Sequence, residues 1–295
     1  MPTRLNATEI EEFIEAAYTA VLRRSADAAG LAHHHGKLSK GALSPGAMLR
    51  DMMLSPEYQR LKNKHLPLEA LHALHFSRVQ IIKQLPKARV IVDVGGGSEG
   101  NVDGGLMTMG YKYPFESITI LEPPMAQRHA IYKNLAPGEP VEHMSHLGRI
   151  KYIYQNMADL SPIADDSVDL VYSGQSVEHV TQDDLEKVFQ EVHRVLKPDG
   201  LFCFDTPNRD VTEVQLRGTD DYFINPDHKY EYKHHELKAM LERHNYHIDE
   251  AKGVTWMPSA RSKGVVDLQE MIENYGFFDD IENCYLLYYR ARPKK

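Results

Sequence analysis

The sequence predicts an α/β fold in which a mainly parallel sheet follows a small all-α bundle. No strand pattern precedes about residue 65, whereas strand and helix patterns alternate through the rest of the chain. The first strand pattern, Val90–Val94, is a β-branched run with a single aspartate, which suits a strand buried on both faces. Alternation of this kind predicts right-handed crossovers with helices on both faces of the sheet.

The amino-terminal residues read as short helices. The run Thr8–Glu11 has the form of a capping box, and apolar residues recur at helical spacing around it. Ser44–Pro45 and Ser55–Pro56 each place a capping residue before a proline suited to the first helical position. We therefore expect a helical bundle at residues 1–65 and a sheet domain at residues 66–295.

The sheet domain should begin with a helix from about Pro67 to Leu85. The strand patterns that follow are β-branched or aromatic runs, and the helix patterns are amphipathic. After the first strand, we expect strands at Ser117–Leu121, Ile150–Tyr154, Val168–Ser173, Leu201–Asp205 and Cys284–Arg292, and helices near Met125–Asn134, Asp183–Leu196 and Glu236–His244.

Composition excludes several classes of protein. The chain of 295 residues has 34 basic and 42 acidic residues and a net charge of −8, which argues against general nucleic-acid binding. It has no run of about 18 apolar residues, so we expect no membrane span. Two cysteines cannot build a disulfide framework, and no signal peptide is visible at the amino terminus. We therefore expect a cytoplasmic protein.

Glycines follow the first strand directly. Asp93 lies near the strand end, and Gly95, Gly96 and Gly97 come next, where glycine lets the backbone turn tightly and approach a ligand. The run Gly95–Gly100 also fits the spacing of a dinucleotide fingerprint, which makes a nicotinamide dehydrogenase the rival for the same fold. The Asp93 carboxylate argues against this rival, because it would repel a pyrophosphate.

Three later motifs also fall at strand ends. Glu122 ends the second strand, where a carboxylate can accept hydrogen bonds from the two hydroxyls of a ribose. Small polar residues, Ser173–Ser176, end the fourth strand, and Val177–His179 then leads into a helix. Leu196–Gly200 contains proline and glycine in a sharp turn before the fifth strand.

Together, these motifs resemble those of a class I S-adenosylmethionine-dependent methyltransferase of the ubiquinone-biosynthesis-like type, over residues 67–292. The resemblance implies a Rossmann-like, seven-stranded sheet whose last strand runs antiparallel between the fifth and sixth. It also implies S-adenosylmethionine as cofactor and S-adenosylhomocysteine as product. The implied cofactor contacts are Asp93, Gly95, Gly96 and Gly97 at the methionine part, Glu122 at the ribose, Asn156, Met157 and Ala158 at the adenine, and Ser173 and Gln175 near the sulfonium.

The amino-terminal segment resembles a second family, the phycobilisome-linker-like helical domain of unknown function. The features that carry this resemblance are Leu22-Arg23-Arg24, Asp27 with Gly30, and the closing run Ser55–Tyr58. The resemblance implies no chemistry. Protein docking or homo-oligomer formation is the role we expect for this module.

A hydroxyl acceptor requires a general base at the acceptor end of the site. Asp227-His228 loosely matches an Asp-x-His run that the methyltransferase family often has at this point. We therefore take His228 as the candidate base and Asp227 as its catalytic neighbour, while His228 as a loop-fixing residue stays open. His179, the third candidate, could instead orient the helix and shape the pocket.

Metal binding at this point has a weaker basis. His228, His234 and His235 with Asp227 could hold a divalent metal, as in some sugar and catechol methyltransferases. However, adjacent histidines cannot face the same way on a helix, and metal-dependent sites commonly use several carboxylates. We expect no metal site.

The acceptor itself is predicted from residues after the fifth strand. Basic and aromatic side chains there suit a polar or anionic substrate with rings to stack against, namely Arg209, Tyr222, Tyr230 and Tyr232. The hypothesis is O-methylation of a hydroxyl on a sugar or glycan intermediate, by analogy only. A phenol or natural-product hydroxyl is the alternative acceptor, and a non-catalytic scaffold on the same fold is the alternative of another class.

Overall fold

The structure is a computed structural model. The chain folds into two compact units, Met1–Glu69 and Ala70–Lys295. Each unit has its own hydrophobic core. The residues that the structure describes are 6–22, 24–128, 141–217 and 222–295, with backbone alone at 59–66.

The first unit consists of short helices. Their bounds are α1 Ala7–Ala17, α2 Ala28–Ser39 and α3 Pro45–Leu54, followed by the start of α4, Pro56–Gln84. A π-helical turn, Tyr18–Leu22, extends α1. The prolines predicted to open α3 and α4 stand at the first residue of each helix. Arg23, in the predicted Leu-Arg-Arg motif, lies outside the described residues, and the docking role of this unit stays a prediction.

Two local predictions in this region are wrong. The capping box of α1 is formed by Asn6 and Glu9, because the Asn6 side chain accepts from the Glu9 N–H and Glu9 accepts from the Asn6 N–H. The helix expected to begin after Pro67 is instead continuous with the one before it, and Pro67 lies inside α4. A proline there removes one backbone hydrogen bond without ending the helix.

In its described residues, the second unit contains a nine-stranded sheet in the order β3-β4-β2-β1-β5-β6-β9-β7-β8. The strands are β1 Val90–Val94, β2 Ser117–Glu122, β3 Glu142–Met144, β4 Arg149–Tyr154, β5 Val168–Gly174, β6 Leu196–Pro207, β7 Tyr246–Trp256, β8 Phe277–Phe278 and β9 Cys284–Pro293. The predicted antiparallel insertion is confirmed, since β9 pairs antiparallel with both β6 and β7. The predicted strand number is too small, because β3 and β8 add short antiparallel strands at the two edges.

Helices and apolar layers cover the sheet. The other α-helices among the described residues are α5 Gly104–Thr108, α6 Gln182–Val195, α7 Arg209–Gln215, α8 His234–Arg243, α9 Pro258–Lys263 and α10 Leu268–Glu273. Successive residues of β1 enter opposite layers, since Ile91 belongs to one core cluster and Val92 to the other. Of the helix expected near Met125–Asn134, Met125–Gln127 forms a 3₁₀ turn and residues 129–140 lie outside the described part.

The parallel strands end at one edge of the sheet, which brings their carboxyl-terminal residues together. Asp93 on β1, Glu122 on β2 and Asp205 on β6 are all buried near this edge. Among the described helices, none is long and apolar enough to cross a membrane. The sheet edge is therefore the place where a functional site is to be sought.

Candidate active site

Two adjoining cavities lie at the carboxyl edge of the sheet. The first, here called the histidine cavity, has a volume of about 340 Å³, and the second, the Glu122 cavity, has about 250 Å³. Gly95, Gln175 and His179 line both. Asp93, Glu178 and His228 line the first alone, and Glu122, Arg128, Asn156 and Met157 line the second alone.

The turn after β1 requires glycine at two positions. Gly95 has φ +70°, and a Cβ there would lie 2.2 Å from the Ser176 hydroxyl oxygen. A Cβ on Gly96 would lie 2.1 Å from the Cγ of Asp93. The chain can therefore fold over Asp93 only because these positions lack side chains.

Asp93 is buried and incompletely paired. Its Oδ2 has no hydrogen-bond partner among the described residues. Burial raises the pKa of Asp93 to about 7, and Glu122 acts in the same direction, while the Leu106 N–H and Arg78 act against it. A cationic ligand group would compensate for the buried carboxylate charge.

Glu122 marks the other cavity. Its Oε1 accepts the Gly97 N–H at 2.7 Å, and its Oε2 lies 4.0 Å from the Nε of Arg128. Burial raises the pKa of Glu122, while the Gly97 hydrogen bond and Arg128 oppose this. The Arg128 guanidinium stacks on Tyr154, 5.2 Å from the ring centroid, and both of its terminal nitrogens have no partner within the described part of the chain.

The structure brings most of the predicted cofactor residues to these cavities, with two exceptions. Ala158 lines neither cavity, because its N–H bonds to the Asn156 side chain and it packs against the core. Ser173 also lines neither, because it still lies within β5, where its side chain is buried. Gln175, just beyond β5, lines both cavities and has φ +54°.

Two histidines face each other in the histidine cavity, and each is held by a carboxylate. The Nδ1 of His179 lies 3.1 Å from Asp227, and the Nδ1 of His228 lies 2.6 Å from Glu231. Their ring centroids are 4.8 Å apart and the rings are nearly perpendicular. Burial and the neighbouring His228 lower the pKa of His179. The three predicted catalytic residues are thus neighbours.

Glu178 completes this group, although sequence reasoning gave it no role. Its side chain is 0% exposed, and its Oε2 accepts the Thr206 hydroxyl at 2.9 Å, while Oε1 has no partner among the described residues. Burial raises the pKa of Glu178 to about 7. The sequence feature that could have indicated a role for Glu178 is its position beside His179 in the run Val177–His179.

A buried network on Asp205 forms another wall of the histidine cavity. Asp205 accepts hydrogen bonds from the Nε of Arg78 at 3.1 Å, the Tyr172 hydroxyl at 2.6 Å and the Gln175 amide at 2.9 Å. Arg78 reaches the site from α4, and no sequence motif marks it. The network ties a helix before the sheet to the ends of β5 and β6.

The chain matches two known families. Residues 92–204 match a methyltransferase domain, and residues 3–62 match a domain of unknown function, DUF4214. The first match spans β1 to β6 and includes the glycine turn and Glu122. Residues 92–204 therefore form a methyltransferase domain, on the fold of the class I, S-adenosylmethionine-dependent enzymes. This match favours methyl transfer over the dehydrogenase alternative.

Similar proteins agree with this assignment. A probable S-adenosylmethionine-dependent methyltransferase of Mycolicibacterium smegmatis is 36% identical over 106 residues, 36% of this chain and 38% of the relative. A malonyl-[acyl-carrier protein] O-methyltransferase of Nitrosospira multiformis is 27% identical over 156 residues, 50% of this chain and 48% of the relative. The chain therefore spans less than half the length of either relative.

Among solved structures, an S-adenosylmethionine-dependent methyltransferase from Thermotoga maritima aligns with a TM-score of 0.51. It is 16% identical, and the alignment covers 81% of this chain and 98% of the other. This similarity concerns the fold.

The four predicted substrate residues of the methyltransferase domain line neither cavity. Tyr232 is 0% exposed in the core, and Tyr222 is 90% exposed. The Tyr230 hydroxyl donates to Glu236, and the Arg209 guanidinium stacks on the Tyr230 ring at 5.0 Å. Lys229 is the last residue of this segment in a cavity wall, so the cavity walls do not support the substrate contacts expected from the sequence.

The predicted alternative metal cluster does not form either. The Nδ1 of His234 lies 2.6 Å from the Tyr289 hydroxyl, and the two rings stack. His235 is exposed on α8. Of that cluster, only His228 and Asp227 lie in the walls of the two cavities.

Proposed function

We propose that the protein transfers a methyl group from S-adenosylmethionine to an acceptor hydroxyl. The observation that carries this proposal is the position of the carboxylates Asp93 and Glu122 beside the His179–His228 pair, in two cavities with common walls. When bound, the cofactor supplies a methyl group already activated on a sulfonium. The protein then has to bind, orient and exclude water, and alignment alone contributes on the order of 7–11 kcal/mol.

The residues of both cavities fit the cofactor that the family and fold imply. The unpartnered Oδ2 of Asp93 suits the cationic amino group, and Arg78 in the same cavity suits the carboxylate. Glu122 suits the ribose hydroxyls, because a buried carboxylate forms strong charge-assisted hydrogen bonds. Asn156 and Met157 then border the adenine.

His228 is the residue that we propose to activate the acceptor. Its Nδ1 faces Glu231, so that Nε2 is the nitrogen that accepts a proton from a hydroxyl. Glu231 fixes the ring orientation, since it also accepts a hydrogen bond from Thr212. Asp227 fixes the ring of the neighbouring His179 in the same manner, through the Nδ1 of that ring.

A sugar or glycan hydroxyl is the acceptor class that we propose. The histidine cavity is bordered by several neutral and charged polar side chains that could bind a ring of hydroxyls: Ser98, Glu99, Thr108, Gln175 and Asn225. In the part of the chain that the structure describes, the predicted Tyr222, Tyr230 and Tyr232 line neither cavity. The polar walls of the histidine cavity are what supports a polyhydroxylated acceptor over a phenol.

Calorimetry and product release test the proposal. We expect S-adenosylmethionine and S-adenosylhomocysteine each to bind with one site per chain, and no heat at millimolar ligand would contradict it. Release of S-adenosylhomocysteine is then measured with free sugars, nucleotide-linked sugars, phenols and malonyl-[acyl-carrier protein]. Turnover confined to the phenols or to the carrier-linked acceptor would contradict the sugar assignment. It would still be consistent with methyl transfer.

A further inference from the structure

Three side chains of metal-ligand type converge in the histidine cavity. Glu178, His179 and His228 each offer one ligand atom, and these atoms all lie within 4.8 Å of one another. Two imidazoles and one carboxylate form a set that binds divalent transition ions and leaves coordination positions for water or substrate. We propose that Glu178, His179 and His228 bind a divalent transition-metal ion of the Mn²⁺ or Zn²⁺ type.

The surroundings of the two histidines support this assignment. Metal-binding histidines characteristically direct their second ring nitrogen at a carboxylate, carbonyl or water, which fixes the ring and its tautomer. Asp227 occupies this position for His179, at 3.1 Å, and Glu231 for His228, at 2.6 Å. Both histidines thus have an outer carboxylate, and the two carboxylates belong to one short segment.

Glu178 supplies an independent observation. The side chain is fully buried, yet its Oε1 has no hydrogen-bond partner in the part of the chain that the structure describes. A buried carboxylate oxygen without a donor is costly to the folded protein. A cation between Glu178 and the two imidazoles would compensate for that cost.

An ion at this position would activate the acceptor hydroxyl rather than bind the cofactor. A hydroxyl that approaches a divalent ion loses its proton more readily, and that proton passes to solvent water. With the ion bound, His228 is a ligand, and its role as the base falls to the solvent. This inference rests on the proposed function for its purpose, and it replaces the sequence-based expectation of no metal.

Metal titration of the full-length chain is the test. Protein treated with EDTA and dialysed is titrated with MnCl₂, then with ZnCl₂, by calorimetry without cofactor. Because His33, His34 and His35 can also capture metal ions, the background protein has all three replaced by alanine. We expect one ion per chain in that background.

Substitutions then locate the ion. Glu178→Gln and His228→Gln should each weaken binding at least about tenfold, and Glu231→Gln, which alters only the outer carboxylate, about 10–100-fold. His235→Gln, on the exposed face of α8, is the matched control and should bind as the background does. Far-ultraviolet circular dichroism checks that each variant is folded.

Two results would overturn the metal site. One is the absence of heat with both ions in the background protein, and the other is equal affinity in the background, Glu178→Gln and Glu231→Gln. Titration of the same samples with S-adenosylmethionine separates the two proposals. Cofactor binding without metal binding refutes the metal site alone, whereas loss of cofactor binding refutes the proposed function.

Discussion

The two cavities of the methyltransferase domain are assembled in different ways. In the Glu122 cavity, the polar groups stand at the ends of neighbouring parallel strands, as Glu122 ends β2 and Asn156 follows β4 closely. In the histidine cavity, Arg78 comes from α4, His179 from the turn after β5, and His228 from the segment before α8. Sheet topology positions the strand-end groups Glu122 and Asn156, whereas the group around His179 and His228 depends on how distant segments pack.

This difference predicts that the His179–His228 pair controls turnover, whereas the strand-end carboxylates Asp93 and Glu122 control cofactor affinity. His228→Ala gives the largest expected effect, a loss of turnover of at least about 100-fold, because the acceptor loses its activating group. The dissociation constant for S-adenosylmethionine should stay within about twofold of the wild-type value, because Asp93 and Glu122 are unchanged. Product release and calorimetry measure the two quantities.

His235→Ala is the matched control for this variant, since His235 is exposed on α8. Thermal melting checks the His228→Ala protein, because the buried Glu231 then loses a partner. Unchanged turnover in folded His228→Ala would remove this residue from the reaction. A large loss of cofactor affinity would show that the cavities are not separable in this way.

Glu122→Ala tests the contribution of Glu122 to cofactor affinity. Loss of charge-assisted hydrogen bonds, each about 1.5–3 kcal/mol, should weaken S-adenosylmethionine binding by about 10–100-fold. Turnover at saturating cofactor should change much less. Calorimetry gives the affinity, and Glu116→Ala, an exposed carboxylate just before β2, is the control. Retained affinity in Glu122→Ala would refute the ribose assignment.

Asp93 should make cofactor affinity depend on pH. Its pKa is raised to about 7 by burial, with Glu122 and Asp205 raising it and the Leu106 N–H and Arg78 lowering it. A cationic partner requires the ionised carboxylate, so affinity should fall by up to about tenfold for each pH unit below 7. Calorimetry between pH 5.5 and about 7.5 should show this slope, and Asp93→Asn should bind weakly without it.

The same variant has a stability consequence with a definite sign. Because the folded-state pKa of Asp93 lies above the unfolded value, the folded protein holds more protons between about pH 4 and 7. Stability from this residue therefore falls as pH rises through that window. Asp93→Asn should raise the free energy of unfolding at neutral pH by roughly 1–3 kcal/mol. An Asp93→Asn protein that is less stable at pH 7 than the wild type would contradict the buried charge.

Gly100→Ala should give the smallest effect, and Gly96→Ala provides the contrast. Gly100 has φ +71°, and beyond its chain neighbours no described atom lies within 4 Å of the point that a Cβ would occupy. Gly100→Ala should therefore cost only about 1–2 kcal/mol of stability from backbone strain. Gly96→Ala should also weaken cofactor binding, because its Cβ would displace Asp93. Chemical denaturation and calorimetry measure both. Equal cofactor affinity in the two variants would mean that the position of Asp93 does not matter.

The sequence predicted six strands by range, because β-branched and aromatic runs have few alternative structures. It assigned no range to β7, and it missed β3 and β8, since Glu142–Met144 and Phe277–Phe278 are too short to show a pattern. It placed the first capping box wrongly because Asn6–Glu9 and Thr8–Glu11 both fit the motif, and only packing distinguishes them. It also read Pro67 as a helix start, although α4 continues through it.

The same limit applies to the site. Asp93, Glu122 and Gln175 were predictable because strand ends meet at one edge of the sheet. Arg78 and Glu231 were not, because their roles arise from contacts with Asp205 and His228 that no local pattern encodes. The aromatic residues after His228 showed the opposite error, since their chemistry suited a ligand but Tyr232 packs into the core.

Gln175 is the residue at which the two cavities meet, and its backbone is in the left-handed region at φ +54°. The conformation costs a non-glycine residue on the order of 1–3 kcal/mol, and it is maintained here by bonds from the Gln175 N–H and side-chain amide to Asp205. A glycine would relax the backbone but release the side chain from the common wall. A substitution that raises thermal stability at this position would therefore disturb the alignment of the two ligands. Selection for a more heat-resistant variant would be expected to lower catalytic activity here first.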